Sequence, residues 1–210
     1  MNRGVRRLRL FDHDGDYRAF LTILSLAQRR LPMRCLAYCL MPNHFHLVLW
    51  PYADGDLSRF MFWLLTTHSK RWHLWRGTNG TGAVYQGRFK SIPVASDEHF
   101  LRLCRYVERN PARARLVDRA ELWPWSSLSQ RLGRRLPVEL DPWPVDYPKA
   151  WLELVNRDSP TDTEEVRQAV RRGRPFGPED WTKRIAIQLG LESSLRGVGR
   201  PKEKSPGVIS

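Results

Sequence analysis

A β-hairpin pattern at residues 33–50 constrains this sequence more than any other feature. The runs "MRCLAYCLM" and "HFHLVLW" are rich in strand-forming residues, which predicts one strand in each. The dipeptide Pro42-Asn43 stands between the two runs and supplies the chemistry of a tight turn. The sequence therefore predicts two antiparallel strands joined by a short connection.

Helices are predicted on both sides of this hairpin, at residues 14–30 and 56–75, because apolar residues recur there at helical spacing. A further strand is predicted at residues 83–95, and a third helix at residues 97–109 with Ser96 as its cap. The predicted order is therefore helix, strand, strand, helix, strand, helix.

One more strand before the first helix would complete a ferredoxin-like fold. Only "RRLRLF", residues 6–11, is available to form that strand. The expected fold class is α+β, with a βαββαβ antiparallel sheet that carries its helices on one face.

The character of the sequence changes beyond residue 120, and four regions are expected. They are a domain at 1–120, a Trp- and Pro-rich irregular segment packed on it at 121–160, a basic helical extension at 161–195 and a disordered basic tail at 196–210. The extension contains two predicted helices, at residues 162–172 and 178–190.

The charge of the chain points to a polyanionic partner. The formal net charge is +13, and a basic amphipathic helix of the kind that binds membranes does not stand out, so nucleic acid is the favoured partner. No run of about 18 apolar residues is present to cross a bilayer. The three cysteines lack close pairs, so a reducing cytoplasmic setting is expected.

His44 and His46 form a possible metal site on the second strand of the hairpin. Residues two apart on a strand share a face, so both imidazoles project to one side while Phe45 points into the core. Two imidazoles in this arrangement can bind one divalent ion. The same pattern fits two polar residues on an exposed strand, and the local sequence leaves both interpretations open.

The third predicted helix adds a phenol to these histidines. Tyr106 lies on the flank of its apolar face, about 120° from the centre at 100° per residue. Asn110 follows four residues later and would lie beside it if the helix continued that far. Pro111 disfavours helical geometry at Asn110, so Asn110 is either a third polar ligand or a residue that ends the helix.

Basic residues surround these groups and suit contacts with phosphate. They are Arg88, Lys90, Arg102, Arg105, Arg109, Arg113 and Arg115. A metal ion, a tyrosine hydroxyl and arginines together indicate a phosphodiester substrate, with the phenol oxygen as the attacking group.

Several blocks of the sequence resemble the REP-associated tyrosine transposases, a branch of the HUH single-tyrosine transposases. The blocks are "YCLMPNHFHLVL", "YQGRFKSIPV", "LCRYVERNPARARLV", "WPWSS" and the C-terminal "RRGRPFGPEDWTKRIAIQLGLESSLRGVGRPK". The resemblance implies a transposase that binds, nicks and rejoins single-stranded DNA at the foot of palindromic hairpins. It also implies that His44 and His46 hold Mg²⁺ or Mn²⁺, that Tyr106 forms a 5′-phosphotyrosine and frees a 3′-OH, and that Asn110 lies near the metal.

The similar proteins differ from this sequence at its beginning. They have an additional strand there, and residues 1–4 resemble its last part. In a ferredoxin-like sheet this strand would neighbour the HFH strand. A start assigned too late, a decayed copy, or substitution by residues 6–11 would each account for the difference.

Two other functions fit the same residues. A non-catalytic DNA-binding protein derived from a transposase would keep the basic surface without turnover, and a metal-dependent hydrolase would use the histidines without Tyr106. The basic C-terminal extension makes a self-contained monomer plausible, while similar transposases without it work as dimers, so monomer and homodimer both stay open.

Overall fold

The sheet at the centre of the protein is antiparallel, and the predicted hairpin provides two of its strands. The computed structural model describes residues 1–95 and 98–196. The strands are β1 (Asn2–Arg3), β2 (Arg34–Met41) and β3 (His44–Trp50). They lie in the order β1-β3-β2, so the strand that carries both histidines is flanked on each side.

Eight α-helices accompany the sheet within residues 1–95 and 98–196. They are α1 (Asp14–Arg30), α2 (Asp56–Arg76), α3 (Glu98–Glu108), α4 (Asn110–Arg113), α5 (Ser127–Arg131), α6 (Trp151–Asn156), α7 (Pro160–Arg172) and α8 (Glu179–Gln188). The five helices predicted from the sequence are present, each end within two residues of its expected position. The α+β class is confirmed. The cap expected at Ser96 and residues 197–210 of the expected tail lie outside the described residues.

Helices cover both faces of the sheet, so the predicted one-sided arrangement is wrong. Phe45 points towards α1 and α2 and packs against Phe20, with ring centroids 4.8 Å apart. On the other face, Cys39 and Met41 pack in one apolar cluster with Leu103 of α3. Seven of the eight residues of β2 are buried, and a strand buried on both faces needs a covering layer on each.

The first strand is formed by Asn2–Arg3 and not by residues 6–11. In the β1–β3 ladder, Asn2 lies opposite Phe45 and Arg3 opposite His44, as the resemblance implied for this part of the chain. Residues 5–7 form a 3₁₀ turn instead of a strand. Leu10 and Phe11 are fully buried, and the Leu10 amide donates to the carbonyl of Pro42, so this segment braces the hairpin turn.

The strand predicted at residues 83–95 does not form as a regular strand. Among the described residues, this segment has only isolated bridges, from Tyr85 to Gly4 and from Val94 to Phe176. Backbone hydrogen bonds nevertheless hold it alongside β1, from Gln86 N–H to the carbonyl of Arg3 and from Lys90 N–H to that of Met1. Gly87 interrupts the ladder with φ = 141°, a conformation that L-residues rarely adopt.

The segment after residue 120 closes the outer edge of β2. The Leu40 amide donates to the carbonyl of Trp125, and the Trp123 indole N–H donates to the carbonyl of Leu40, 2.8 Å away. Further along the edge, the Trp143 indole N–H donates to the carbonyl of Leu36. An edge strand whose backbone groups are capped in this way has fewer of them free to pair with another chain.

Glu108 joins this segment to α3. Its carboxylate is fully buried and accepts hydrogen bonds from the Ser127 hydroxyl and from the Trp151 indole N–H, 2.8 Å away. Burial raises the pKa of Glu108, and the hydrogen bonds from Ser127 and Trp151 and the charge of Arg131 offset this effect only in part. The same Ser127 hydroxyl contacts the backbone of Tyr38, so one network links α3, α5, α6 and β2.

No helix in the described part of the chain is long and apolar enough to cross a membrane.

Candidate active site

The two histidines of β3 and the tyrosine of α3 meet on one face of the sheet. The ring centroids of His44 and His46 are 5.1 Å apart, and those of His46 and Tyr106 are 5.7 Å apart with the rings nearly perpendicular. Strand alternation turns both imidazoles towards α3, and α3 packs its apolar residues on the same face. The structure thus brings together the three side chains that the sequence had placed sixty residues apart.

The surroundings of the histidines favour neutral imidazoles. Burial lowers the pKa of His44 to about 4, and the charges of Arg3 and Arg113 act in the same direction. Burial also lowers the pKa of His46 well below its usual value, with His44 as the next contribution. Both rings are therefore uncharged near neutral pH, which is the form that binds metal ions.

Asn43, the turn residue, orients His44. Its Oδ1 lies 2.7 Å from Nδ1 of His44. An amide oxygen can only accept, so Nδ1 carries the proton and Nε2 keeps its lone pair. A second partner of this kind is typical of metal-ligating histidines.

Asn110 lies at the start of α4, directly after the break that follows α3. Pro111 occupies the first turn of α4, and the helical path therefore resumes and does not end at Asn110. The Asn110 side chain is buried, its Oδ1 accepts from Arg113, and its Nδ2 has no partner among the described residues. The Arg113 guanidinium also lies over the Tyr106 ring, 4.3 Å from its centroid, and so connects Asn110 with Tyr106.

The residues at this site fit a hard divalent ion. Within residues 1–95 and 98–196 no three His, Cys, Asp or Glu side chains lie together. The expected donors are the adjacent imidazoles of His44 and His46 and the Asn110 amide oxygen, which accepts from Arg113. Imidazole nitrogen and carbonyl oxygen are suitable ligands for Mn²⁺, and oxygen is preferred by Mg²⁺. An ion with these ligands would keep coordination positions for phosphate oxygens.

Three of the predicted DNA-contacting arginines have carboxylate partners beyond α6. Arg102 pairs with Glu165 and, at 2.9 Å, with Asp162. The Arg105 guanidinium lies 3.3 Å from the Asp162 carboxylate, and the Arg109 guanidinium lies 3.1 Å from the Asp158 carboxylate. Arg102 and Arg105 lie on α3 and pair with α7, while Arg109 follows α3 and pairs with the segment before α7. The charges of all three are thus partly compensated within the chain.

The other predicted DNA contacts have no carboxylate partner among the described residues. Arg88 and Lys90 are exposed on the segment beside β1, and Arg115 is exposed just after α4. Arg113 is half-buried against Tyr106 and Asn110. These four cations are available for an external anion.

Arg3 is a residue at this site that the sequence reasoning did not select. It lies opposite His44 in the β1–β3 ladder, and directly opposed residues share one face of a sheet. Once residues 1–4 are recognised as a strand beside the HFH strand, alternation and the register of the two strands together place a basic side chain near the histidines. The sequence of either strand does not contain this register.

Comparison with known proteins identifies the family of the chain. The model of the family described as "Transposase IS200 like" matches residues 3–110, just over half of the chain, and includes the histidines, Tyr106 and Asn110. The chain belongs to the IS200-like transposase family. It is therefore a member of a family of DNA-binding transposases.

The structural comparison shows the same fold. A solved structure described as the REP-associated tyrosine transposase bound to a REP hairpin matches with a TM-score of 0.52. It is 19% identical, and the alignment covers 70% of this chain and 84% of that one. No curated protein sequence matches this chain at a significant level.

Proposed function

We propose that this protein is a REP-associated-type tyrosine transposase that binds, nicks and rejoins single-stranded DNA through a covalent tyrosine intermediate. The observation that carries the proposal is the position of the Tyr106 ring, whose centroid lies 5.7 Å from that of His46. The His46 ring in turn contacts His44, and the Arg113 guanidinium lies over the Tyr106 ring. A phenol beside two neutral imidazoles and an arginine suits attack on a phosphodiester.

In the proposed reaction the Tyr106 phenol oxygen attacks the phosphorus of one DNA linkage. A bond forms between this oxygen and phosphorus, and the bond from phosphorus to the 3′ oxygen breaks. The phenol loses its proton and the departing 3′ oxygen gains one, so the products are a 5′-phosphotyrosine and a free 3′-OH. The covalent bond keeps the energy of the linkage, which lets a second 3′-OH reverse the step and rejoin DNA.

His44, His46 and Asn110 would hold the divalent ion. When bound, Mg²⁺ or Mn²⁺ supplies Lewis-acid polarisation of the phosphate and orients it. The chain itself contributes neutral imidazoles, a buried amide, and an arginine that fixes both Tyr106 and Asn110.

Hairpin DNA is the proposed substrate. The solved structure with the similar fold is described as bound to a REP hairpin, and the net charge of +13 suits a nucleic-acid partner. The exposed cations Arg88, Lys90 and Arg115 are proposed to contact its phosphates, together with Arg113. The paired residues Arg102, Arg105 and Arg109 are proposed to contribute less, because carboxylates already compensate them.

Replacement of the nucleophile tests the proposal directly. Tyr106→Phe should abolish the covalent protein–DNA adduct on hairpin oligonucleotides with single-stranded flanks, because only the phenol oxygen is lost. The adduct is measured as a band that resists denaturing gel electrophoresis. Tyr52→Phe is the matched control, since Tyr52 is exposed at the far end of β3, and it should form adduct normally.

The other functions give different results in the same assay. Salt-sensitive hairpin binding without any adduct in the unaltered protein would support a non-catalytic DNA-binding protein. Cleaved DNA that never becomes linked to protein, with Tyr106→Phe fully active, would support a metal-dependent hydrolase. Cleavage that survives both EDTA and the His44→Ala, His46→Ala double change would remove the metal ion from the proposal.

A further inference from the structure

Two guanidinium groups beside the histidine pair have N–H groups without a partner. Arg3 shares a sheet face with His44, and its Nε is buried with no hydrogen-bond acceptor in the described part of the chain. Arg113 is stacked on Tyr106, and its Nη1 is also buried without an acceptor. The Nε atoms of Arg102 and Arg131 are in the same condition, but Arg102 is paired with Asp162 and Glu165, and Arg131 donates to the carbonyl of Leu36.

A buried N–H of a cation without an acceptor is costly, and most such groups in native proteins have partners. Among the described residues neither Arg3 nor Arg113 has a carboxylate within ion-pair distance, whereas Arg102 and Arg105 both do. Other arginines of the chain have carboxylate partners, whereas these two do not. Arg3 and Arg113 therefore have N–H groups that an anion from outside the chain could accept from.

Contacts on the sheet place both cations at the site. Arg3 lies directly opposite His44 in the β1–β3 ladder. The Arg113 guanidinium lies over the Tyr106 ring, and that ring contacts His46. The two arginines approach from different elements, Arg3 from β1 and Arg113 from α4.

We propose that Arg3 and Arg113 form a two-armed clamp that holds the scissile phosphate of the DNA. The proposal rests on the proposed function, because it assigns the anion to the linkage that Tyr106 attacks. A phosphodiester has two non-bridging oxygens that share one negative charge, so one guanidinium can serve each oxygen. The clamp fixes the phosphorus beside the Tyr106 oxygen and offsets charge as the new bond forms.

The experiment uses DNA in which one linkage at a time is an uncharged methylphosphonate. A hairpin with a single-stranded flank is selected from a random pool for binding to the unaltered protein, and the cleaved linkage is mapped by sequencing the adduct. Affinities of the modified hairpins are then measured by fluorescence anisotropy with Tyr106→Phe protein, which cannot cleave. Arg3→Gln is introduced into this background, and Arg6→Gln is the matched control because Arg6 is exposed nearby.

The clamp predicts that a methylphosphonate at the cleaved linkage weakens binding by about tenfold, as expected for a lost charge-assisted hydrogen bond. Arg3→Gln should remove this sensitivity at that linkage alone, while Arg6→Gln should keep it, which is the signature of a direct pair in a mutant cycle. Arg3→Lys is the second variant if Arg3→Gln folds poorly. It keeps the charge but has no Nε, and the sensitivity should be reduced.

The failures of the two proposals are distinguishable. Adduct formation with no Arg3-dependent sensitivity at the cleaved linkage overturns the clamp and leaves the transposase function standing. Arg3-dependent sensitivity at one linkage without any adduct supports an anion clamp and overturns the covalent mechanism. If selection yields no hairpin that binds, both proposals are overturned.

Discussion

Among the histidines outside the candidate site, His68 is the most deeply buried. It is only 4% exposed, its Nδ1 lies 2.7 Å from the Tyr85 hydroxyl, and the rings of Phe20 and Phe11 contact it with centroids 5.0 Å and 5.9 Å away. Burial lowers its pKa to about 3. The folded protein therefore keeps His68 neutral over a pH range in which the unfolded chain protonates it.

The linkage predicts a loss of stability in acid. A folded pKa of about 3 against an ordinary value of 6.5 means that stability is complete above pH 6.5 and falls continuously as the pH drops towards 3. At 1.36 kcal/mol per unit, His68 should account for roughly 2 kcal/mol of the free energy of unfolding lost between pH 7 and pH 5. Urea unfolding at both pH values measures this loss.

His68→Gln separates this effect from that of the other histidines. Glutamine can still bond the Tyr85 hydroxyl but does not titrate, so the variant should lose roughly 2 kcal/mol less than the unaltered protein over the same range. His13→Gln, at an exposed position, is the control for replacing a histidine by glutamine. Equal pH dependence in His68→Gln and unaltered protein would contradict the assignment.

Metal affinity is the second property that depends on single residues. His44→Ala should weaken Mn²⁺ binding by at least about tenfold, since even outer partners of metal ligands cost that much when they are removed. Isothermal titration calorimetry without DNA measures it, independently of catalysis. His73→Gln is the control, because His73 bonds Thr78 and the carbonyl of Gly82. Unchanged Mn²⁺ affinity in His44→Ala would exclude His44 as a ligand.

At the scale of elements, the sequence pattern predicted a segment correctly where its apolar residues repeat with a single period throughout. The helices follow from 3.6-residue periodicity, and the common face of His44 and His46 follows from strand alternation. The strand predicted at residues 83–95 failed because hydrophobic content alone did not report the positive φ of Gly87. Arg3 was missed because its place opposite His44 is set by register, a property of two strands together.

The loop between α7 and α8 is an element whose docking depends on one glycine. A Cβ at Gly177 would come within 2.4 Å of the Trp181 ring and 2.9 Å of the Ala95 Cβ. This loop also pairs with the segment before α3, through the Phe176 amide and the carbonyl of Pro93. Gly177 therefore allows the C-terminal extension to approach the chain just ahead of α3.

Gly177→Ala should destabilise the protein by about 1–3 kcal/mol, the usual range for overpacking. Gly15→Ala is the matched control: nothing lies within 4 Å of its added Cβ, and it stands in the first turn of α1. That change should be neutral or stabilising by up to about 1 kcal/mol. Urea unfolding of both variants checks the pair, and equal effects would show that Gly177 is not closely packed.

The whole molecule carries a large positive charge, but some of its basic side chains are paired with carboxylates and others are not. Single-stranded DNA binding loses about 0.7 in the slope of log affinity against log salt for each phosphate contact removed. Replacing the exposed Arg88, Lys90 and Arg115 by glutamine should therefore reduce the slope by about 2. The same change at Arg102, Arg105 and Arg109, which are paired with carboxylates, should reduce it by less than about 1. Equal slopes for the two triple variants would contradict this division.

The ring contact between Tyr106 and His46 lies within one chain. A copy with damaged histidines cannot then be rescued by a second copy that lacks only the tyrosine, because neither contains a complete set. Mixtures of Tyr106→Phe protein with His44→Ala, His46→Ala protein should form no adduct. Adduct in the mixture alone would instead mean that the copies exchange their tyrosines. In genetic terms, we expect no complementation between two gene copies of which one lacks the tyrosine and the other the histidines.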